Sequence, residues 1–166
     1  MPSYFPHLME RRIREFELRE DDIWILSYPK SGTHWTQEMV WMITHDVDTE
    51  AGRVPLAARS PMIESRSVLR GIPVHDEEAR DEAVRERLEA ITNMPGQRLI
   101  KTHLPLELLP HRLLDTCQVV YVARNPRDCA VSFYHHNLSM PGHGFVGTFD
   151  QFLHMFEVAE YSFNPY

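Results

Sequence analysis

Lys30, Ser31, Gly32 and Thr33 stand together between an apolar run, Ile23-Trp24-Ile25-Leu26-Ser27, and a helix-forming stretch at 36–44. A strand, a tight loop and a helix in that order make an anion site. The first N–H groups of a helix lack intrahelical partners, and the helix dipole favours negative charge there. Pro29 fixes the entry to the loop, and Gly32 lets the backbone approach a ligand closely. Lys30 brings a compact positive charge, while Ser31 and Thr33 bring hydroxyls. Two more groups lie just past other expected strands. Lys101-Thr102-His103-Leu104-Pro105 follows a strand at 98–101, and a histidine there can act as a base near neutral pH. Arg124 ends a strand at 118–123, and Ser132 lies eight residues on, in the next helix. A guanidinium with a hydroxyl suits a second phosphate. Ligands of open parallel sheets gather at the carboxyl ends of strands. The residues alone therefore describe a site for a bis-anionic, nucleotide-like ligand.

The general phosphate-loop pattern G-x-x-x-x-G-K-[ST] is not met, because no glycine precedes Lys30 at that spacing. Nor does an evident Mg²⁺-binding acid follow a core strand, so a phosphate-loop kinase is disfavoured. The formal net charge of −7 argues against a generic polyanion binder, and no nucleic-acid partner is expected. Any phosphate site must be local. Lysine and arginine total 17, yet the only lysines are Lys30 and Lys101, one in each of the first two groups above. A point-like ammonium on a flexible stem fits a small, moving charge better than a rigid fork does. Ten histidines form no H-E-x-x-H pattern and no matched Cys/His set, so no metal site is expected. Cys117 and Cys129 are expected as buried, reduced side chains. The first residues contain no continuous apolar segment of the signal-peptide kind, and no stretch approaches membrane-spanning length. A cytoplasmic setting without membrane attachment is expected.

The elements that must position these residues read as one domain over 1–166. The chain has 166 residues, 43% hydrophobic and 25% charged, which suits a single core. Residues 1–22 read as a charged, partly ordered lead-in. Residues 46–75 read as irregular, punctuated by Pro55, Pro61, Gly71 and Pro73. An amphipathic helix is expected at 77–92, with Val84, Leu88 and Ile91 on its apolar face. A helical turn or short helix is expected at 106–114. Asn125-Pro126 reads as N-cap and first helical residue. Thr148 and Gln151 read as a capping box, followed by a stripe of Phe149, Phe152, Leu153 and Phe156. Trp35, Met39, Met42 and Ile43 are expected as the packed face of the first helix after the loop. Arg127 and Asp128 are expected in ion pairs. Strands alternating with helices imply an α/β architecture with a mostly parallel sheet.

The octapeptide Tyr28-Pro-Lys-Ser-Gly-Thr-His-Trp35 resembles the 5′-phosphosulfate loop of cytosolic sulfotransferases, which use 3′-phosphoadenosine-5′-phosphosulfate (PAPS) as donor. The usual family form has a second Thr where this chain has His34. Lys-Thr-His-Leu-Pro at 101–105 resembles the family's acceptor-side motif, and the string from Arg124 to Ser132 resembles its 3′-phosphate motif. The resemblance implies a three-layer, P-loop-like sulfotransferase fold around a central parallel sheet, with the C-terminal part missing from this chain. It implies a donor site formed by Lys30, Ser31, Gly32, Thr33, His34 and Trp35 around the phosphosulfate, with Trp35 against the adenine. Arg124 and Ser132 would hold the 3′-phosphate. His103 would be the general base, and Lys30 and Lys101 would stabilise the transferring charge, with no metal required. The acceptor would be a small molecule. Pro61-Met62-Ile63-Glu64 resembles an acceptor-wall loop and equally reads as a core anchor; His135 and His136 fall near that pocket by the same analogy. The family's dimer motif and late 3′-phosphate loop lie beyond Ser162-Phe-Asn-Pro-Tyr166 and are absent here, so exposed apolar surface is expected. A catalytically incomplete, nucleotide-binding fragment is the alternative reading.

Overall fold

Three short apolar runs become the three strands of one parallel sheet in the computed structural model, which describes residues 7–65, 71–72, 75–140 and 145–157. The strands are β1 (Ile23–Ser27), β2 (Leu99–Thr102) and β3 (Gln118–Val122), in the spatial order β2-β1-β3. All five residues of β1 are buried, as a parallel strand covered on both faces requires. Ile25 stands beside Lys101 on one side and Val120 on the other. The chain leaves β1 towards β2, then crosses back over β1 to form β3. That reversal opens a crevice at the carboxyl ends of β1 and β3.

Alternation along β1 sorts its side chains between two faces. Trp24 and Leu26 enter one core with Ile100. That core is closed by α1 (His7–Arg14) and α4 (Glu77–Thr92), through Met9, Ile13, Val84, Leu88 and Ile91. Ile23 and Ile25 face a second core with Leu99 and with Trp41 of α2 (Thr33–Thr44). Two helical layers with the sheet between them give the expected three-layer arrangement. A third cluster joins α6 (Pro126–Ser139) to α7 (Phe149–Glu157) through Phe133, Phe152 and Phe156, with Tyr28 packed against it. The connection before α4 holds a short 3₁₀ turn (Ala51–Arg53) and α3 (Leu56–Arg59). After β2 come a 3₁₀ turn (Leu106–Leu108) and α5 (Leu113–Thr116).

Local signals placed most boundaries. Asp76 caps α4 by accepting from Ala79 N–H, and Asn125 caps α6 by accepting from Arg127 N–H, with Pro126 in the first turn. Thr148 and Gln151 form the reciprocal box at 2.9 and 3.3 Å. Five expectations are corrected. The lead-in is not loose, because α1 buries Met9 and Ile13 in the main core. The connection at 46–65 contains two helical pieces, and Pro73 lies outside the described residues, as do Ser162–Tyr166. The packed face of α2 is Thr33, Gln37 and Trp41, whereas Trp35 (78%), Met39 (55%) and Ile43 (75%) are exposed. Both faces have i, i+4 spacing; the polar one turns inward because Gln37 donates to the Ser60 carbonyl at 3.0 Å and to its hydroxyl at 2.8 Å. Cys117 is half-buried rather than buried, while Cys129 is buried, and both are free thiols. Arg127 and Asp128 are exposed and form no ion pair among the described residues.

The amino ends of the strands are held by a wholly buried pair, Asp22 and Arg98. Arg98 Nε donates to Asp22 Oδ1 at 2.6 Å, and its Nη2 also donates to the Glu17 carbonyl at 2.9 Å. Removing one partner strands a buried charge. Asp22→Ala is therefore expected to lower the unfolding free energy by about 3–5 kcal/mol. The apolar double replacement Asp22→Leu/Arg98→Met should recover much of that. Urea unfolding of the three proteins checks both statements.

Candidate functional site

The opposite ends of the same strands carry the chemistry. After Ser27 the chain turns tightly, and Ser31 N–H donates to the Tyr28 carbonyl at 3.2 Å. Lys30 takes a left-handed backbone conformation, φ 69°, which a lysine adopts only under constraint. Part of that constraint is visible: Arg124 Nη1 donates to the Lys30 carbonyl at 2.9 Å, tying the end of β3 to the loop. Gly32 follows at φ 103°, a region that side chains disfavour, and a Cβ there would meet no atom within 4 Å. The backbone thus faces open space where α2 begins. Thr33, His34 and Trp35 form the first turn of that helix rather than part of the loop. The Thr33 hydroxyl turns inward to the Ser27 hydroxyl at 2.6 Å, and the Ser31 hydroxyl lies 3.5 Å from Cys129 Sγ. Of the loop's candidate anion-binding groups, the two hydroxyls are therefore engaged within the protein, while the helix-start N–H groups and Lys30 are of the kind that suits an anion.

His103 lies one residue past β2. Its Nδ1 is 2.7 Å from the Ser27 carbonyl and 3.3 Å from the Ser27 hydroxyl. A carbonyl only accepts, so Nδ1 carries the proton and Nε2 is the unprotonated nitrogen. Burial pushes the ring well below the usual imidazole range, to about 4, with the Lys101 charge adding to the fall. The ring is therefore neutral at physiological pH. Lys101 Nζ lies 3.4 Å from His34 Nε2, close enough to donate to it. Burial lowers the Lys101 ammonium. Burial, then the Lys101 and Lys30 charges, lower His34, which stays neutral and able to accept.

Two residues to which sequence reasoning assigned no role in holding His103 complete its surroundings. Ser27 supplies the carbonyl that orients His103; its sequence signal was a lone polar residue ending an apolar strand. Glu64 is buried, and its Oε1 accepts from the His103 main-chain N–H at 2.6 Å. Its segment is pinned to β2 by Ile63 N–H to the Lys101 carbonyl at 3.1 Å and Lys101 N–H to the Pro61 carbonyl at 3.0 Å. The anchoring reading of Pro61–Glu64 is therefore realised, and Met62 of the same segment also lines a cleft beside Lys101. Burial raises the Glu64 carboxyl to about 7, against the hydrogen bonds that favour its charged form. Ser132 sits half-buried on α6. His136 is half-buried and stacked on Phe133, while His135 is exposed.

The chain matches a family model described as the sulfotransferase domain over residues 20–166. It is 41% identical over 166 residues to sulfotransferase 1A1 of Canis lupus familiaris, covering 99% of this chain and 51% of that protein. It is 38% identical over 138 residues to luciferin sulfotransferase of Photinus pyralis, covering 80% of this chain and 37% of that one. Its fold superposes on a crystal structure of retinol dehydratase in complex with retinol and PAP with a TM-score of 0.77, at 32% identity, over 93% of this chain and 51% of that one. The chain thus spans about half the length of these relatives or less.

The two shifted groups act on stability in opposite directions. His103, depressed from 6.5 to about 4, contributes stability that is full above pH 6.5 and is lost as pH falls towards 4. Glu64, raised from 4.5 to about 7, contributes stability that is full below pH 4.5 and is lost as pH rises through 7. Glu64→Gln keeps an acceptor for the His103 N–H but cannot titrate. It is expected to remove the loss of stability between pH 4.5 and 7 and leave the His103-linked loss on acidification. Urea midpoints at stepped pH read this directly; an unchanged profile would show that Glu64 is ordinary in its titration.

Proposed function

The chain belongs to the sulfotransferase domain family, and we propose that it carries the donor loop and reacting groups for sulfuryl transfer from PAPS to a hydroxyl or amine of a small-molecule acceptor. One observation carries the reading: His103, Lys101 and the loop from Lys30 meet at neighbouring strand ends, with the His103 Nδ1 proton committed to the Ser27 carbonyl. That leaves Nε2 as a neutral base aimed away from β1. The PAP named in the retinol dehydratase structure supports a bisphosphate nucleotide as the ligand class of this chain.

In the proposed reaction the acceptor oxygen or nitrogen attacks sulfur in line with the departing 5′-phosphate oxygen. The new bond to sulfur forms as the sulfur–oxygen bond to the phosphate breaks. His103 Nε2 takes the acceptor proton as attack proceeds. Lys30 stabilises charge on the departing bridging oxygen, and Lys101 and the loop N–H groups stabilise the equatorial sulfonate oxygens. The leaving group is adenosine 3′,5′-bisphosphate. Arg124, already tied to the Lys30 carbonyl, positions the 3′-phosphate with Ser132 from the neighbouring helix. The exposed indole of Trp35 offers a stacking face for the adenine. The two free thiols, Cys117 and Cys129, support a reducing, cytoplasmic setting. Among the described residues no helix is long and apolar enough to cross a membrane.

Calorimetry with adenosine 3′,5′-bisphosphate tests the donor site. Lys30→Ala and Arg124→Ala are each expected to weaken binding about tenfold or more. His103→Ala is expected to leave that binding intact and to reduce turnover by about 10²–10⁴-fold. A folded sample that does not bind the bisphosphate would sink the donor-site reading for this chain; retained turnover in His103→Ala would sink the base assignment.

A further inference from the structure

A cleft of about 340 Å³ opens at the β2 edge of the sheet, lined among others by His34 and Gln37 of α2, Ser60, Met62, Arg87 of α4 and Lys101. No carboxylate lines it among the described residues, so in a chain of net charge −7 its wall is locally positive. Arg87 stands out within it. Arg12, Arg14, Arg53, Arg59, Arg85 and Arg98 each have a carboxylate oxygen within 3.3 Å. Among the described residues Arg87, like Arg19 and Arg80, forms no ion pair with a carboxylate, although α4 is rich in glutamate. Its Nη2 is 3.4 Å from the Met62 carbonyl, and its Nε is buried without a hydrogen-bond partner. Burial lowers its pKa with no compensating charge; burial also lowers Lys101, there opposed by the Glu64 carboxyl behind the cleft wall. Gln37 spends its amide N–H groups on Ser60, leaving its oxygen buried and unpaired.

A desolvated guanidinium without a carboxylate is costly, and its planar fork matches a carboxylate two N–H groups at a time. The sheet order places this cleft on the side of β1 away from β3, whose end carries Arg124. The donor's 3′-phosphate belongs to that other side. Lys101 is common to the cleft and the reacting centre. We propose that the cleft receives a carboxylate borne by the acceptor, with Arg87 as the binding fork and Lys101 between that carboxylate and the transferring group. This rests on the sulfuryl-transfer reading and sharpens it: the preferred acceptor is a hydroxy or amino acid in the chemical sense, such as a phenolic acid, rather than a neutral phenol or alcohol. The unpaired Gln37 oxygen offers an acceptor for a ligand O–H or N–H.

Calorimetry in the presence of adenosine 3′,5′-bisphosphate compares 4-hydroxyphenylacetate with 4-ethylphenol on the wild type, Arg87→Gln and Arg87→Lys. The wild type is expected to bind the acid about tenfold more tightly than the neutral phenol or better. Arg87→Gln should equalise the two, Arg87→Lys should keep part of the preference, and bisphosphate affinity should stay constant throughout. Equal affinities in the wild type, no binding of the acid at millimolar concentration, or a preference that survives in Arg87→Gln would overturn the proposal. Arg87-dependent binding of the acid by a protein that ignores the bisphosphate would uphold the cleft and overturn sulfuryl transfer instead.

Discussion

The contact between His103 Nδ1 and the Ser27 carbonyl, 2.7 Å long, is the constraint on which the site turns. Ser27 is the last residue of the central strand, still paired with Val122 of β3 but one residue past the last pair with β2. A histidine one residue past the neighbouring strand reaches it only if β1 and β2 run parallel in the observed register, Leu26 beside Thr102. The contact then does two things. It fixes which nitrogen carries the proton, and it draws the ring into a buried place where the charged form is disfavoured. A neutral imidazole protonated at Nδ1 follows from strand register and burial together. The Glu64 carboxyl grips the same residue by its main chain, so ring and backbone are held from different elements.

The electrostatics are local. A chain with seven more acids than bases concentrates positive character where Lys30, Lys101, Arg124 and the start of α2 converge. Among the described residues Lys101 feels the buried Glu64 carboxyl, whose own pKa burial raises to about 7. A carboxylate there would compete with an anionic ligand and lower the gain on binding. Neutral acceptors lie beside two of these groups: the Lys30 carbonyl accepts from Arg124, and the His34 imidazole is within reach of Lys101. Such partners satisfy donors without cancelling the field that an arriving anion meets.

Much of the frame was legible in the sequence because it is local. β1 and β3 announced themselves as apolar, β-branched runs, and Asp76, Asn125, Thr148 and Gln151 acted on backbone N–H groups within three residues of themselves. What was missed depends on distant partners. Met9 and Ile13 became core because α1 meets α4, about seventy residues away. The inward face of α2 was decided by Gln37 meeting Ser60, against the apolar alternative of Trp35, Met39 and Ile43. The short motifs located Lys30, Lys101, His103 and Arg124 by spacing. The roles of Ser27 and Glu64 in holding them were not legible, although Glu64 ends the quoted segment Pro61–Glu64, because a backbone carbonyl and a buried acid acquire such roles only through the fold.

The pairing of residues 61–63 with β2 couples the wall beside the site to its charges. Lys101 gives its N–H to Pro61 and takes one from Ile63, so its backbone is fixed by that segment as much as by β1. One residue on, Glu64 grips His103. The lysine and the histidine therefore share a support that is also the approach of α3 and Ser60 to α2. A volume change at Met62 or Ile63 would move this backbone before it moved any ligand, because a packed interior transmits displacement instead of absorbing it. Variation of the wall is thus safest at side chains that reach across from other elements. Arg87 is one: it lines the cleft from α4, touches the segment only through the Met62 carbonyl, and leaves the support of Lys101 and His103 in place.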